Sequence, residues 1–484
     1  MKMVKSLLLG TAAGLVAMTG AQAADLPVKA KPVQYVKICS LYGVGFYYIP
    51  GTDMCIKVGG WARQEIAYGY NGSMTSEFYS NNLNNRTTDN LTWRYKGTVT
   101  VDSRNQTEYG TVRSYVAIGA SSNSNDGEGA GLYANRWFIQ WAGFTFGHAT
   151  SFYDFYSVGA NQFGFVTAGA DSGDGGWDVL AYTAQFGNGL SASISAETTR
   201  RTKITAAGTA AGASYTPAAW AAYGTNYAGS NTPDIVANLR IDQAWGSAQI
   251  MGALHQVNAG YYGASEGTGY PSDKWGFAIG GGLKLNAPMI GAGDYLQVEA
   301  SYTQGALRYN NNTAVTGDFV KYDGNSIGFG IQSDAVYGGT VGTNASDLEL
   351  TSAWSVNAAY THFWNAKWKT TLWGSYMSVM YGSNANAMLC SSIGEGTGSG
   401  TTAVAATGCD MDWSVWGLGL RTQWNVTPDF YLGLEVLYAN LNSASVSGGS
   451  VTLGANGTKP AGAYSVSDQD SWAVRFRAHK DFYP

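Results

Sequence analysis

Residues 56–68 read Ile56-Lys57-Val58-Gly59-Gly60-Trp61-Ala62-Arg63-Gln64-Glu65-Ile66-Ala67-Tyr68. The even positions carry the apolar side chains Ile56, Val58, Ala62, Ile66 and Tyr68, and the odd positions carry the charged ones, Lys57, Arg63 and Glu65. Successive side chains of a strand point to opposite faces. The stretch therefore predicts a β-strand with one apolar face and one charged face.

The same alternation recurs along the chain in runs of about ten residues, the length with which a tilted strand crosses a membrane. One run sets Arg94 and Arg104 against Tyr95 and Val99, and the last run sets Trp472, Val474 and Phe476 against Arg475, Arg477 and His479. After the N-terminal stretch, the sequence contains no uninterrupted apolar run of helical membrane-spanning length. The fold class that this pattern predicts is all-β, as a transmembrane antiparallel barrel.

Short turns and long polar stretches separate the runs in alternation. Seven short turns lie at 105–109, 142–143, 187–189, 245–246, 286–293, 365–366 and 425–429, and eight long stretches lie at 71–91, 119–134, 151–176, 198–233, 256–273, 305–351, 380–412 and 441–470. This arrangement requires sixteen strands with both chain ends on the short-turn side. Eighteen strands is the alternative, because Ser326 to Gln332 could belong to a further strand pair.

The composition agrees with a barrel. Glycine counts 65 and proline 10, only 13% of residues are charged, and the chain holds 32 Tyr and 16 Trp. Tyr and Trp suit the interface between membrane and water, and aromatic residues near predicted strand ends are candidates for such girdles: Trp61, Trp93, Trp137, Trp141, Trp368, Trp424, Tyr431 and Tyr438. The net charge of −5 argues against nucleic-acid partners.

The N-terminus has the pattern of an export signal. Lys2 and Lys5 precede an apolar run, and Ala21-Gln22-Ala23 offers a cleavage site. We expect a signal peptide over 1–23, a periplasmic N-terminal segment over 24–54 and the barrel over 55–484.

Four cysteines follow this signal as two sequence-near pairs, Cys39 with Cys55 and Cys390 with Cys409. An exported chain enters an oxidising compartment, so the pairs predict two short-loop disulfides. A zinc site is the alternative, but the C-x₂₋₄-C spacing is absent and no histidine lies close by.

At this point the sequence resembles the porins of α-proteobacteria over nearly the whole mature chain. The resemblance is carried by Val33 to Cys39, Tyr42 to Thr52, Cys55 to Gly60, Thr107 to Thr111, Phe138 to Gly147, Ser151 to Phe155 and Ala181 to Gly189. It departs at the C-terminus, where Phe482 and Tyr483 precede a final Pro484 instead of ending the chain.

The resemblance implies a closed barrel of sixteen strands, a homotrimer, and a third extracellular loop folded into the lumen as a constriction. It also implies a multi-pass protein of the outer membrane, in contact with outer-membrane lipid and lipopolysaccharide. Such a protein forms a passive, water-filled channel for small hydrophilic solutes and ions.

The field at the narrowest point of such a channel comes from charged residues. Basic residues on the first four predicted strands are candidates for one wall of the lumen: Arg63, Arg94, Lys96, Arg104, Arg113 and Arg136. The candidate third loop carries Asp154, Asp171 and Asp174, with Asp178 just beyond it, and could oppose that wall. Alternatively, the arginines pair with neighbouring carboxylates and only hold the barrel in shape.

Three other functions remain open from the sequence: a solute-specific channel with a saturable site, a structural or adhesive barrel, and a barrel-embedded hydrolase. The chain has only four histidines, His148, His255, His362 and His479, and no G-x-S-x-G or H-E-x-x-H motif accompanies them. We therefore expect no enzyme activity, no cofactor and no metal.

Overall fold

The computed structural model describes residues 38–70, 78, 84–124, 131–155, 162–163, 175–207, 227–263, 265–311, 318–338, 345–392 and 408–482. Sixteen long strands form its wall. They are β1 Cys55–Tyr68, β2 Leu91–Thr107, β3 Gly110–Asn123, β4 Gly131–Trp141, β5 Phe144–Ala149, β6 Trp177–Gly187, β7 Leu190–Glu197, β8 Asp234–Gln243, β9 Gly246–Val257, β10 Lys274–Asn286, β11 Tyr295–Gln304, β12 Ser352–Phe363, β13 Trp368–Met380, β14 Trp413–Thr427, β15 Phe430–Asn442 and β16 Gln469–Asp481.

The wall is closed. Each strand pairs antiparallel with its neighbours in the chain, and β16 pairs antiparallel with β1 from Trp61 opposite Asp481 to Tyr68 opposite Val474. Closure satisfies the backbone groups of every edge, which a membrane interior requires. The predicted sixteen-stranded antiparallel barrel is confirmed.

The alternation predicted for the first strand is present in β1. Glu65 and Ala67 are buried on the inner face, whereas Val58 and Tyr68 are exposed on the outer face. The outer face also carries Trp368 and Trp424, whose stacked rings lie 5.6 Å apart on adjacent strands.

Two of the aromatic residues expected in the girdles face inward instead. Trp61 shares the parity of Glu65, and Tyr431 lies opposite His479 on β16. The rings of Trp61 and Tyr431 both contact the His479 imidazole, at 5.3 and 5.0 Å between centroids. The proximity of these residues to a strand end was therefore a poor guide to the face on which they lie.

The seven predicted short turns all join strands at one end of the barrel. At Ala142-Gly143 both residues have positive φ, +49° and +87°, as a tight two-residue hairpin turn requires. The longer connections lie at the other end. One of them is shorter than predicted, because β3 continues to Asn123 and β4 begins at Gly131.

The long connections contain short strands of their own. Phe319–Asp323, Ser326–Gly330, Gly462–Val466 and Ser450–Leu453 form one sheet, and Ile204–Ala207, Ala335–Gly338 and Glu349–Leu350 form another. None of these seven strands joins the wall, so the alternative of eighteen barrel strands is wrong. The described residues also include a ten-residue helix, α1 (Ser383–Ser392), and short 3₁₀ turns at Ser40–Tyr42, Glu266–Thr268, Leu307–Tyr309 and Ser447–Gly449.

The two loop sheets pack against the inner wall at the long-loop end. Trp413, at the start of β14, donates its indole N–H to the carbonyl of Ile331 at 2.8 Å, and its ring lies 4.8 Å from that of Phe319. The loops therefore narrow this mouth of the barrel. No helix among the described residues is long and apolar enough to cross a membrane.

The chain enters the barrel through a short hairpin. Tyr47–Tyr48 pairs with the start of β1, and a disulfide joins Cys39 to Cys55. A second disulfide joins Cys390, on α1, to Cys409. Both expected disulfides are present, which disfavours the zinc alternative because bonded sulfurs are not thiolate ligands.

Candidate functional site: the charged inner wall

The predicted basic residues lie on adjacent strands and are brought together by the strand register. Arg63 on β1 lies opposite Lys96 on β2, and Arg104 on β2 lies opposite Arg113 on β3. Arg94 lies opposite Glu65. Because Glu65 is on the inner face, the register turns these side chains toward the lumen.

Arg94 is part of an ion-pair cluster around Glu65. Its Nε donates to Glu65 Oε2 at 2.7 Å, and its Nη2 contacts the same oxygen. Arg477, on β16, donates from Nε to Glu65 Oε1 at 2.9 Å, and Arg475 Nη1 lies 3.7 Å from that oxygen. One fully buried carboxylate therefore faces three guanidinium groups, which leaves a local excess of positive charge.

Arg104 and Arg113 share a second carboxylate, Asp102. Arg104 reaches its two oxygens at 2.9 and 2.7 Å, and Arg113 Nη2 lies 2.9 Å from Oδ2. Arg113 also donates to Gln140 Oε1 at 2.8 Å. These two arginines therefore both lie on the inner face and pair with a carboxylate.

The other three basic residues have different surroundings. Arg63 donates to His479 Nδ1 at 3.2 Å, and the ammonium of Lys96 lies 4.6 Å from the Tyr133 ring centroid. Arg136 donates to the carbonyl of Asn135 at 2.5 Å.

Four further charged residues belong to the wall and were missed as site residues: Arg421, Glu435, Arg475 and Arg477. In the register Arg421 lies opposite Glu435, which lies opposite Arg475. All four are buried. Sequence alternation had placed Arg475 and Arg477 on a charged face, but only closure of β16 on β1 brings that face to Glu65.

Phe163, in the third long connection, packs into this cluster. Its backbone N–H donates to Glu435 Oε2 at 2.7 Å, and its carbonyl accepts from Arg475 at 2.5 Å. Its ring lies 3.9 Å from the Arg477 guanidinium carbon and 5.1 Å from that of Arg421. Such cation–π contacts gain strength when they are shielded from water.

The strands leave room for this ring. A Cβ at Gly433 would lie 2.5 Å from the Phe163 ring, closer than any side chain could approach. Only glycine at position 433 allows the Phe163 ring to pack here. The Glu435 carboxylate is also held from a second side, because the Trp373 indole N–H donates to its Oε2 at 3.2 Å.

The first residues of the same connection contact a different part of the wall. Tyr153 Oη lies 3.1 Å from Ser301 Oγ on β11, and the Phe155 ring occupies the space that a Cβ at Gly282 on β10 would fill. The amide of Gln249 on β9 donates to the carbonyls of Tyr153 and Asp154 at 3.3 and 3.2 Å.

Of the four aspartates predicted in or just beyond the third loop, Asp154 has a buried carboxylate that accepts from Arg200 Nη2 at 2.6 Å. Burial by itself would lower the pKa of the Arg200 guanidinium, but the charge of Asp154 and the Tyr309 and Glu197 side chains raise it above its usual value. Asp154 is therefore neutralised by a fixed cation. Asp171 and Asp174 lie outside the described residues.

Asp178 lies apart from Asp154. It belongs to β6 and shares the parity of the exposed Leu180 and Tyr182, and its Oδ1 is 2.7 Å from His148 Nδ1 on β5. This corrects the expectation that Asp178 would oppose the basic wall, because the alternation of β6 turns it to the outer face. Among the described residues no group of three or more His, Cys, Asp or Glu side chains is arranged to hold a metal ion.

Comparison with known proteins agrees with this architecture. The family model described as "Porin subfamily" matches residues 25–475. Porin Omp2b of Brucella melitensis biotype 1 is 29% identical over 323 residues, which cover 59% of this chain and 81% of the relative. Porin Omp2a of Brucella abortus is 33% identical over 201 residues, 40% of this chain and 49% of the relative.

A solved structure, the outer membrane channel DcaP of Acinetobacter baumannii, has the same kind of fold, with a TM-score of 0.57 and 13% sequence identity over 90% of this chain and 99% of that one. The family match begins before β1 and ends within β16, at residue 475. The chain belongs to the porin family and is a multi-pass β-barrel protein of the bacterial outer membrane.

Proposed function

We propose that this porin is a passive, water-filled channel for small hydrophilic solutes and ions, with a constriction that the third long loop makes by crossing the lumen. The proposal rests chiefly on Phe163, which packs among Arg421, Arg477 and Glu435 on β14–β16. The start of the same loop, at Tyr153 and Phe155, contacts β10 and β11. In this proposal the loop, held at these two places, divides the lumen.

The basic wall sets the ion preference in this proposal. Glu65 faces Arg94, Arg475 and Arg477, and Asp102 faces Arg104 and Arg113, so each carboxylate is outnumbered by arginines. Asp154 contributes little negative field because Arg200 compensates it. We therefore expect a net preference for anions, weakened by salt because water in the lumen screens the charges.

The channel carries no chemistry in this proposal, and the protein is not an enzyme. His148, His362 and His479 each lie within 3.1 Å of one aspartate oxygen, and His255 is bonded to Asp234 at 2.7 Å. The His148, His255 and His362 pairs join neighbouring strands, or a strand and a neighbouring turn, whereas His479 and Asp481 both lie on β16. A pore selects solutes by width and charge and needs no proton transfer.

The functional unit is a homotrimer, with the short-turn end and the segment 24–54 on the periplasmic side. The lengths of two strands favour a partner subunit at this part of the wall. Strand β5 has six residues and β7 has eight, fewer than the nine to eleven that a tilted strand needs to span the membrane. The outer face there also carries the polar His148–Asp178 pair. A neighbouring barrel would cover this part of the wall from lipid, while outer-membrane lipid and lipopolysaccharide cover the rest.

Planar-bilayer recording of the purified protein tests these points together. We expect openings in groups of three. In a salt gradient, we expect the reversal potential to shift toward the equilibrium potential of the anion. Replacing Arg94 and Arg104 with Gln should move the reversal potential toward cations. Absence of current from correctly folded protein would contradict a channel and favour a structural or adhesive barrel.

A further inference from the structure

A cavity of about 500 Å³ lies between the inner wall and the start of the third long loop. Its lining comes from inward-facing residues of β3 to β9 and from the loop residues Ser151, Phe152 and Asp154. The volume is in the range of sites that hold one small molecule. Under the proposed function, a permeating solute passes this cavity beside the constriction.

One side of the cavity is aromatic. Tyr115 and Phe138 stack with 5.3 Å between their ring centroids, and both line the space. The guanidinium carbon of Arg113 lies 5.1 and 5.3 Å from the same two rings. A stacked pair held in this way is a rigid apolar surface, suited to the C–H face of a small ring or carbon chain.

The opposite side offers neutral hydrogen-bonding groups. Thr183 and Ser193 hydroxyls bond to each other at 2.9 Å, so one O–H of the pair stays free to donate to a ligand. Asn238 uses one of its amide hydrogens on the carbonyl of Phe152 at 2.6 Å and keeps further capacity. Ser191 and Thr145 add hydroxyls to the lining. Such groups match a ligand with several hydroxyls.

The charged side chains that line the cavity sum to +1. Its lining contains Arg136, Arg240 and Asp154. Arg240 pairs with Asp242 at 2.8 Å and Asp154 pairs with Arg200 at 2.6 Å, so counting these partners leaves the sum unchanged. Two guanidinium groups in the lining favour an anionic ligand over a neutral one.

We propose that this cavity is a weak binding subsite for a small polyhydroxylated monocarboxylate, the class of the sugar acids. The stacked rings contact the carbon chain, the Thr183–Ser193 side bonds the hydroxyls, and Arg136 and Arg240 receive the carboxylate. The inference rests on the proposed channel function and makes transport of this class saturable, whereas other small solutes diffuse freely.

The test titrates gluconate into planar-bilayer recordings at constant ionic strength. Gluconate should reduce the ion current saturably, whereas acetate, which lacks the hydroxyls, and glucose, which lacks the carboxylate, should do so only at higher concentrations. Equal effects of gluconate and acetate, or of gluconate and glucose, would overturn the subsite and leave the channel proposal standing. Calorimetric titration of gluconate into the protein in detergent measures binding without any current. If the protein binds gluconate but passes no current, the channel proposal is contradicted and the subsite proposal is not.

Variants locate the effect. Arg136→Gln should raise the half-blocking gluconate concentration about tenfold, the effect of roughly 1.4 kcal/mol, and Ser191→Asp should raise it as well by placing a negative charge in the lining. Lys284→Gln is the matched control, because Lys284 is a β10 cation beside the Tyr295 ring and outside this cavity. An equal shift in Lys284→Gln would assign the block to the general field of the lumen and overturn the subsite.

Discussion

The guanidinium carbon of Arg477 lies 3.9 Å from the ring centroid of Phe163, although 314 positions separate the two residues in the chain (477 − 163). This contact joins the third long loop to the last strand of the barrel. Because the loop backbone is bonded to Glu435 and Arg475 at the same place, the ring and the backbone anchor one point together.

Phe163→Ala should loosen this anchor. Truncation of a packed phenylalanine costs about 3–5 kcal/mol, enough to release the loop for a measurable part of the time. We expect a higher single-channel conductance and more noise in the open state. Phe277→Ala, on the exposed outer face of β10, is the control. Normal conductance and noise in folded Phe163→Ala would rule out the anchor as the determinant of the constriction.

Glu65→Gln should increase the anion preference and reduce stability. The change removes the carboxylate charge that Arg94, Arg475 and Arg477 share, and it leaves the volume of the side chain at position 65 nearly unchanged. Removing one partner of a buried ion pair costs about 3–5 kcal/mol. Reversal potentials and thermal unfolding followed by circular dichroism measure the two effects. Glu266→Gln, in an exposed 3₁₀ turn, should change neither; an unaltered reversal potential in Glu65→Gln would contradict a role in selectivity.

Replacing Cys390 and Cys409 together by Ala should open the loop between them without closing the channel. The bond spans 19 positions and fastens α1 to the start of the chain segment that leads into β14. A closed loop of that size contributes about 3 kcal/mol against unfolding. Limited proteolysis should then cleave this connection faster, with conductance retained. Ser391→Ala controls for a change on α1, and unchanged cleavage would mean that packing alone holds the loop.

Asp294 should make one turn sensitive to acid. Burial would raise the pKa of its carboxyl, but the N–H of Phe363, the Tyr360 hydroxyl and the His362 imidazole together lower it below the usual value. A lowered folded-state pKa stabilises the protein above the unfolded pKa of about 4. This contribution disappears as the pH falls through the folded-state value.

Thermal unfolding of Asp294→Asn should therefore begin at a lower temperature than that of the natural protein at pH 7, and the difference should shrink on acidification below pH ~4. Asp273→Asn, outside the strands, is a suitable comparison. A difference that stays constant through the acid range would show that the carboxyl's charge has no part in holding this turn.

The sequence predicted the wall of the barrel well because alternation and turn spacing are local properties. The seven turns and the sixteen strands follow from patterns no longer than about fifteen residues. The segment Ser326–Gly330 shows where local pattern is ambiguous: it is a strand, but at five residues it is too short to span and pairs with other loop strands. Length, more than alternation, distinguishes it from the wall.

The charged cluster could be predicted only in part. Alternation turned Arg94 and Arg477 inward on their own strands, but their shared partner Glu65 depends on which strands become neighbours at closure. Asp178 illustrates the opposite error, since it was grouped with the aspartates of the third loop although it lies just beyond that loop and its side chain follows the parity of β6. The anchoring of Phe163 has no local signature at all, because every partner lies on β14 to β16.

The pairing of β1 with β16 has a consequence for how the protein is made. Glu65 on the first strand meets Arg477 at a separation of 412 positions, so this pair cannot exist until the whole chain has left the inner membrane. Until then both edge strands present unpaired backbone groups, and Glu65 and Arg477 cannot form their ion pair. Completion of the barrel and assembly of its charged wall are therefore one event. A chain truncated before β16 would lose both the β1–β16 pairing and the arginines that surround Glu65.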